Sequence, residues 1–174
     1  MSEIVVQKFG GTSVGTVDRI DSVAEIIKNA SKSNKIVVVV SAMGGETNRL
    51  VDLAKAFGDD PDKREFDALV STGETVSSAL LTMALHSKGV KAKSFSASQI
   101  SMRTTSSYSK AKILDVDAKK ILDVVENDTI PIITGFQGVT EGGDVTTLGR
   151  GGSDTTAVAI AAQIAAIRCD IYTD

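Results

Sequence analysis

One stretch decides the fold: Ile36-Val37-Val38-Val39-Val40, followed by Ser41-Ala42-Met43-Gly44-Gly45-Glu46-Thr47-Asn48. Five consecutive β-branched residues are typical of a strand that is buried on both faces, as in a parallel sheet. The small and polar residues that follow predict a turn. We therefore expect an α/β fold around a mostly parallel sheet, with this turn at the edge where such sheets bind ligands.

The strand–turn–helix pattern recurs along the chain. Residues Ile4–Phe9 are predicted to form a strand before the turn Gly10–Ser13, and Phe66–Val70 is interpreted as a strand before Ser71–Glu74. Further strands are predicted at Lys91–Phe95, Ile130–Thr134 and Cys169–Tyr172, and a hairpin at Val139–Leu148. Helices are predicted from the periodic sets Val17/Ile20/Ala24/Ile27, Leu50/Leu53/Ala54, Val76/Leu80/Met83/Ala84 and Ala118/Ile121/Leu122/Val125, and a last, buried helix from Ala157 to Ile167.

Composition excludes several classes of function. The 174 residues are enough for one domain, the net charge is −3, and no basic run suggests a nucleic-acid surface. We see no apolar stretch of membrane-spanning length and no signal peptide at the start, so we expect a cytoplasmic protein with no membrane partner. One cysteine and one histidine rule out a disulfide framework and a Cys/His zinc cluster, and no metal site is predicted.

A second notable stretch is Thr147-Leu148-Gly149-Arg150-Gly151-Gly152-Ser153-Asp154-Thr155-Thr156, which leads into an alanine-rich helix. A helix N-terminus offers free N–H groups and a partial positive charge, so it suits an anion. At the other end of the chain, Lys8 stands beside Gly10 and Gly11, where an ammonium and backbone N–H groups could cradle a phosphate. The two stretches together favour an anion site over two unrelated turns.

The residue types narrow the chemistry. The phosphate-loop motif is absent. The stretch Gly11-Thr12-Ser13-Val14-Gly15 matches the motif of a nucleophile elbow. Such a serine needs a general base, and the one histidine, His86, is expected on the surface. Phosphoryl transfer depends mostly on positioning and charge, and a carboxylate acceptor needs no base at pH 7. Arg150 is then suited to a substrate carboxylate and Glu74 to a substrate ammonium.

These stretches, together with Gly135-Phe136-Gln137-Gly138, closely resemble the aspartokinases, and the resemblance runs in order from Ile4 to Asp174. It implies a three-layer αβα sandwich of the amino acid kinase superfamily. It also implies phosphorylation of L-aspartate by ATP with Mg²⁺, the first step towards lysine, threonine and methionine. The full-length enzyme is expected to form a homo-oligomer.

The resemblance also implies a role for individual residues. Lys8 and Asp154 correspond to the catalytic residues, with Lys8 steadying the transferred phosphoryl group and Asp154 orienting Lys8. The nucleotide contacts are expected at Lys8, Phe9, Gly10, Gly11, Ser13, Ser41, Thr173 and Asp174. The aspartate contacts are expected at Thr47, Glu74, Arg150, Gly151, Gly152 and Ser153. The region Ser98–Ser107 is only loosely similar to the family's polar loop.

The strand that finishes the chain has no helix after it, and aspartokinases continue beyond this point into the rest of the nucleotide half and into ACT domains. We therefore interpret residues 1–174 as the N-terminal, substrate-binding part of an aspartokinase catalytic domain, and expect little or no kinase activity from it alone. The alternative is a non-catalytic amino-acid-binding or interaction module of the same fold. Other acceptors of the superfamily, such as glutamate or carbamate, are disfavoured only by the motif match.

Overall fold

The structure is a computed structural model and describes residues 3–173. Five parallel strands form the main sheet, in the order β3-β6-β2-β1-β9. The strands are β1 (Ile4–Phe9), β2 (Lys35–Val40), β3 (Ala92–Phe95), β4 (Arg103–Thr104), β5 (Ile113–Asp115), β6 (Ile130–Thr134), β7 (Gln137–Val139), β8 (Val145–Thr147) and β9 (Arg168–Tyr172). The helices are α1 (Val17–Ala30), α2 (Glu46–Lys55), α3 (Lys63–Val70), α4 (Thr72–Ser87), α5 (Ala118–Glu126) and α6 (Gly152–Gln163).

The sheet lies between two helical layers, which confirms the α/β class with a mostly parallel sheet. Val38 and Val40 of β2 face the core beneath α1 and α4, whereas Val37 and Val39 face the core beneath α5 and α6. All five β-branched residues from Ile36 to Val40 are at most 2% exposed, because this strand is central and covered on both faces. The remaining strands, β4, β5, β7 and β8, form a smaller mixed sheet that includes the predicted hairpin.

The prediction of a strand at Phe66–Val70 is wrong, because these residues belong to helix α3. The Asp62 side chain caps this helix by accepting a hydrogen bond from the Glu65 N–H. Its two buried residues, Asp67 and Val70, are three positions apart, which is a helical spacing. Ser71 to Glu74 therefore form the junction of α3 with α4 and the first turn of α4, not a turn after a strand.

The buried face of α4 also differs from the prediction. Val76 and Met83 are 47% and 63% exposed, and the buried side is made largely of small and polar residues such as Gly73 and Ser77. A Cβ at Gly73 would lie 2.7 Å from the Ala42 Cβ, and the Ser77 hydroxyl donates to the Ser41 carbonyl at 2.6 Å. The close approach of α4 to the turn after β2 requires small residues there, so apolar periodicity indicated the wrong face.

The last helix is shorter and less buried than predicted. Helix α6 ends at Gln163, and Ala165 has a left-handed backbone with a φ of 51°. Ala157 and Ile160 are buried against the sheet, whereas Val158 is 58% exposed and Ile167 is 51% exposed. A helix that covers one face of a sheet buries only one of its own faces, so the run of apolar residues overstated its burial.

Helices α3 and α4 follow each other closely enough that Lys63–Ser87 forms one helical segment of 25 residues. By length and composition it could cross a membrane, although no apolar stretch of that length was predicted from the sequence. Half of its most apolar part is buried inside the protein, and core helices of globular proteins meet the same criterion. The segment is therefore no more than weak evidence for a membrane span.

Candidate active site

A cavity of about 570 Å³ lies at the carboxyl ends of the central strands of the main sheet. Parallel sheets bind ligands at this edge, because the turns that leave the strands and the N-termini of the following helices meet there. The walls are the turns after β1 and β2, the first turn of α4, and the segment between β8 and α6. The lining residues are Lys8, Gly11, Ser41, Ala42, Met43, Gly44, Gly45, Thr47, Asn48, Glu74, Phe136, Gly149, Arg150, Gly151, Gly152, Ser153 and Asp154.

An ion pair connects the end of β1 with the glycine-rich stretch that begins α6. The Lys8 Nζ lies 2.7 Å from Asp154 Oδ1, and the Lys8 side chain is 10% exposed while that of Asp154 is 52% exposed. Lys8 comes from the end of β1, and Asp154 lies in the first turn of α6. The pair holds a nearly buried ammonium at the mouth of a helix N-terminus, where positive charge and free N–H groups favour an anion.

Glycines allow the turns after β1 and β2 to touch. A Cβ on Gly11 would lie 3.1 Å from the Ala42 carbonyl oxygen, and one on Gly44 would lie 3.4 Å from the Gly11 carbonyl oxygen. At Gly10, a Cβ would lie 3.4 Å from the Lys8 Nζ, so the glycine leaves the space beside the ammonium open. The two turns therefore present backbone to the cavity beside the ammonium.

Glu74 is a buried acid at the cavity wall. It is 3% exposed, and its Oε1 accepts a hydrogen bond from the Ala42 N–H at 3.2 Å. Its Oε2 has no hydrogen-bond partner in the part of the chain that the structure describes. Burial raises the pKa of Glu74 to about 7, and hydrogen bonds from backbone N–H groups oppose the rise. A buried carboxylate with an unsatisfied oxygen is costly by itself, so this site is suited to a cationic ligand group.

Arg150 is the exposed cation of the cavity. It stands between Gly149 and Gly151, which have left-handed φ values of 82° and 73°. Its side chain makes no hydrogen bond or ion pair with any residue in the described part of the chain. Gly151 is the N-cap of α6, and the first N–H groups of a helix have no partner within the helix. An arginine of this kind is available to a carboxylate or phosphate.

Most of the predicted site residues meet in this cavity. Those that line it are Lys8, Gly11, Ser41, Thr47, Glu74, Arg150, Gly151, Gly152, Ser153 and Asp154. The structure therefore brings the predicted aspartate contacts, the two catalytic residues and part of the predicted nucleotide contacts to one place. Their individual roles stay predictions.

The other predicted nucleotide contacts lie elsewhere. The Phe9 side chain is 1% exposed and stacks on Tyr172 with ring centroids 4.5 Å apart, so it belongs to the core. Gly10 and Ser13 are in the turn after β1 but do not line the cavity, and neither does the exposed Thr173. Asp174 lies outside the described residues.

Several lining residues were not predicted individually. Phe136 has a left-handed φ of 68°, and a Cβ on Gly152 would lie 2.7 Å from its ring. Asn48, Gly44 and Gly45 belong to the turn after β2, which was recognised as a whole. The segment Gly135–Gly138 was noted as a motif, and a rare backbone conformation at Phe136 is not visible in a sequence.

Comparison with known proteins agrees with this geometry. The model of the amino acid kinase family matches residues 3–174. An aspartate kinase of Stutzerimonas stutzeri and an aspartokinase of Geobacillus stearothermophilus are each 55% identical over 172 residues, which is 98% of this chain and 42% of theirs. The chain belongs to the amino acid kinase family.

Solved structures give the same result. The crystal structure of Escherichia coli aspartokinase III in complex with aspartate and ADP matches with a TM-score of 0.90 and 30% identity, over 99% of this chain and 49% of that one. The aspartate kinase of Synechocystis matches with a TM-score of 0.84 and 45% identity, over 98% of this chain and 28% of that one. The chain thus spans less than half the length of these relatives.

Proposed function

We propose that this chain provides the amino-acid and phosphoryl-binding part of an aspartate kinase, which transfers the γ-phosphoryl group of ATP to the side-chain carboxylate of L-aspartate. The observation that carries the proposal is that one cavity holds the Lys8–Asp154 ion pair, the buried Glu74 and the exposed Arg150. The aspartokinase relatives support it, as does the complex of aspartokinase III with aspartate and ADP.

The amino acid would be bound by its two charged ends. Its ammonium would contact Glu74, whose Oε2 has no hydrogen-bond partner among residues 3–173. Its unreactive carboxylate would pair with Arg150, which can bind both oxygens at once. Hydroxyls of Thr47 and Ser153 stand at the same walls and complete the contacts. This leaves the other carboxylate free to react.

The transfer itself requires little from the protein beyond position and charge. The acceptor carboxylate is already ionised at pH 7, so no general base is needed. Its oxygen attacks the γ-phosphorus, the bond to the bridging oxygen of ADP breaks, and an acyl phosphate forms. Lys8 would neutralise charge on the transferred group, while Asp154 keeps its ammonium in place at 2.7 Å.

The nucleotide would lie against the turns after β1 and β2, with Gly11 and Ser41, which line the cavity, nearest to its phosphates. Gly10 and Ser13 belong to the same turn after β1 but stand back from the cavity. No group of three or more acidic, histidine or cysteine residues that could hold a metal ion occurs within residues 3–173. We therefore propose that Mg²⁺ arrives with ATP, since this ion binds mainly to phosphate oxygens and water. It would supply further neutralisation of the phosphate charge.

The same proposal includes the biological setting. An aspartate kinase would serve lysine, threonine and methionine biosynthesis in the cytoplasm, and the complete enzyme would act as a homo-oligomer. Within it, residues 1–174 would form the N-terminal part of the catalytic domain.

The test is an assay of the complete natural protein that carries this chain. With ATP, Mg²⁺, L-aspartate and hydroxylamine, which traps acyl phosphates as hydroxamates, we expect aspartyl hydroxamate and ADP in equal amounts. Glutamate and carbamate are the matched acceptors, and we expect little product from either. ADP formation without hydroxamate, or preference for another acceptor, would reject the proposal. Separate calorimetric titrations of aspartate and ATP distinguish a substrate site from a non-catalytic module.

A further inference from the structure

A second buried acid, Asp67 of α3, takes no part in the cavity described above. It is 0% exposed, and it makes no ion pair with any residue between positions 3 and 173. A buried carboxylate without a cation must be stabilised by hydrogen bonds. Its partners therefore show what it does in the fold.

Among the described residues, Ser109 and Thr147 each donate two hydrogen bonds to this carboxylate. Oδ2 accepts from the Ser109 N–H and the Thr147 N–H, each at 2.8 Å. Oδ1 accepts from the Ser109 hydroxyl at 3.0 Å and the Thr147 hydroxyl at 2.9 Å. Such charge-assisted bonds are stronger than neutral ones. Asp67 thereby fixes the end of β8 and the loop around Ser109 to α3.

Both segments that Asp67 holds are adjacent to Arg150, one along the chain and the other through packing. Thr147 is the last residue of β8 and lies three positions before Arg150. The Ser109 carbonyl oxygen would be 3.2 Å from a Cβ on Gly149, so the same loop packs on the turn that carries the arginine. The Thr147 carbonyl also accepts from the Ala111 N–H at 3.0 Å, which joins the two segments to each other.

No comparable set of hydrogen bonds from the described residues holds Arg150 itself. Its side chain is exposed, and it follows Gly149, which has a left-handed backbone. The position of the Arg150 backbone, and hence the region that its side chain can reach, depends on the position of the segment Thr147–Gly149. We propose that Asp67 is a positioning residue that fixes Arg150 relative to Glu74 and Lys8 and thereby sets the affinity for the substrate carboxylate. This inference rests on the proposed function.

Asp67→Asn is the main variant. The asparagine oxygen can accept from the two backbone N–H groups, and the hydroxyls of Ser109 and Thr147 can turn to accept from its amide, so the variant is expected to fold. The charge is lost, which weakens all four bonds. Thr147→Val removes one of them at nearly constant shape.

Thr146→Val is the matched control. Thr146 is the neighbour of Thr147 on β8, is 0% exposed, and shares a 2.6 Å hydrogen bond with Thr104. Thr146→Val removes one buried hydroxyl contact from the same small sheet but leaves the four hydrogen bonds to Asp67 intact. A purely structural role for Asp67 would make all three variants behave alike.

The experiment measures the KM for aspartate and for ATP in the complete natural protein, with hydrogen exchange of the Ser109 and Thr147 amides. We expect Asp67→Asn to raise the aspartate KM about tenfold and Thr147→Val a few-fold, with faster exchange at both amides and a nearly constant ATP KM. Thr146→Val should leave the aspartate KM within about twofold.

Two results would overturn the inference while the proposed function stands. One is an unchanged aspartate KM in Asp67→Asn with a wild type that phosphorylates aspartate. The other is general loosening of the fold, which would appear as an equal rise in both KM values or as an equal effect of Thr146→Val. A wild type that does not phosphorylate aspartate would instead reject the proposed function, and this inference with it.

Discussion

Replacing Glu74 with glutamine should remove a loss of stability that the wild type undergoes as the pH rises to neutral, and it should also remove the ligand contact. Glutamine has nearly the same shape, and its oxygen can keep the hydrogen bond from the Ala42 N–H that Oε1 accepts at 3.2 Å. What it removes is a negative charge on a side chain that is 3% exposed. The expected effect follows from the cost of that charge.

The size of this cost follows from the pKa of Glu74, which burial raises from 4.5 to about 7. The folded state then binds the proton more tightly than the unfolded state, so Glu74 lowers stability as the pH rises from 4.5 to 7. At about 1.4 kcal/mol per pKa unit, the loss is about 3 kcal/mol and is almost complete at pH 7. Glutamine cannot ionise, so Glu74→Gln should show none of it.

The assay is urea unfolding of wild type and Glu74→Gln at several pH values between 4 and 9. We expect the difference in free energy of unfolding to shift by about 3 kcal/mol in favour of the variant across this range. The unpartnered amide of glutamine adds a constant cost, which cancels in the comparison between pH values. Glu141→Gln, in the exposed hairpin turn, is the control and should show no such shift. A difference that stays constant with pH would refute the reasoning.

Further predictions concern two residues of the same cavity, Arg150 and Lys8, and one glycine that packs against the cavity residue Ser153. Arg150→Ala should raise the KM for aspartate about 30- to 100-fold in the complete natural protein with a smaller effect on that for ATP, because it removes a charged bidentate contact; an unchanged KM would contradict its role. Lys8→Ala should lower kcat about 100- to 1000-fold, measured as hydroxamate formation, because charge on the transferred group loses its partner; normal turnover would exclude Lys8. Gly135→Ala should lower the free energy of unfolding by about 1–3 kcal/mol, since its Cβ would lie 2.6 Å from the Ser153 Oγ, whereas Gly142→Ala, whose nearest neighbour would be 3.8 Å away, should cost little.

The sequence was most informative where local chemistry and fold agree. The β-branched run at Ile36–Val40 is typical of a strand covered on both faces. The glycine-rich turns that follow β1 and β2 predicted the edge of the sheet where the cavity lies. The pairing of Lys8 with Asp154 followed from the resemblance, and the distance of 2.7 Å agrees with it.

The rest depended on contacts between residues far apart in the chain. Asp67 looked like an ordinary charged residue in a short apolar segment, and the donors that allow its burial lie 42 and 80 positions away. The buried face of α4 is small and polar because of its contact with the turn after β2, so hydrophobic periodicity could not identify it. The burial of Glu74 has the same origin, and its raised pKa could not be predicted from residue type.

The most direct test of the proposed site is calorimetric titration of the complete natural protein with L-aspartate at pH 7, in buffers of different ionisation enthalpy. An ammonium at Glu74 would favour the ionised carboxylate. Since the pKa of Glu74 is about 7, binding should release roughly half a proton per site, and affinity should fall as the pH is lowered towards 5. Glu74→Gln should bind far more weakly and release no proton. Tight binding without proton release, or equal binding by Glu74→Gln, would contradict the account.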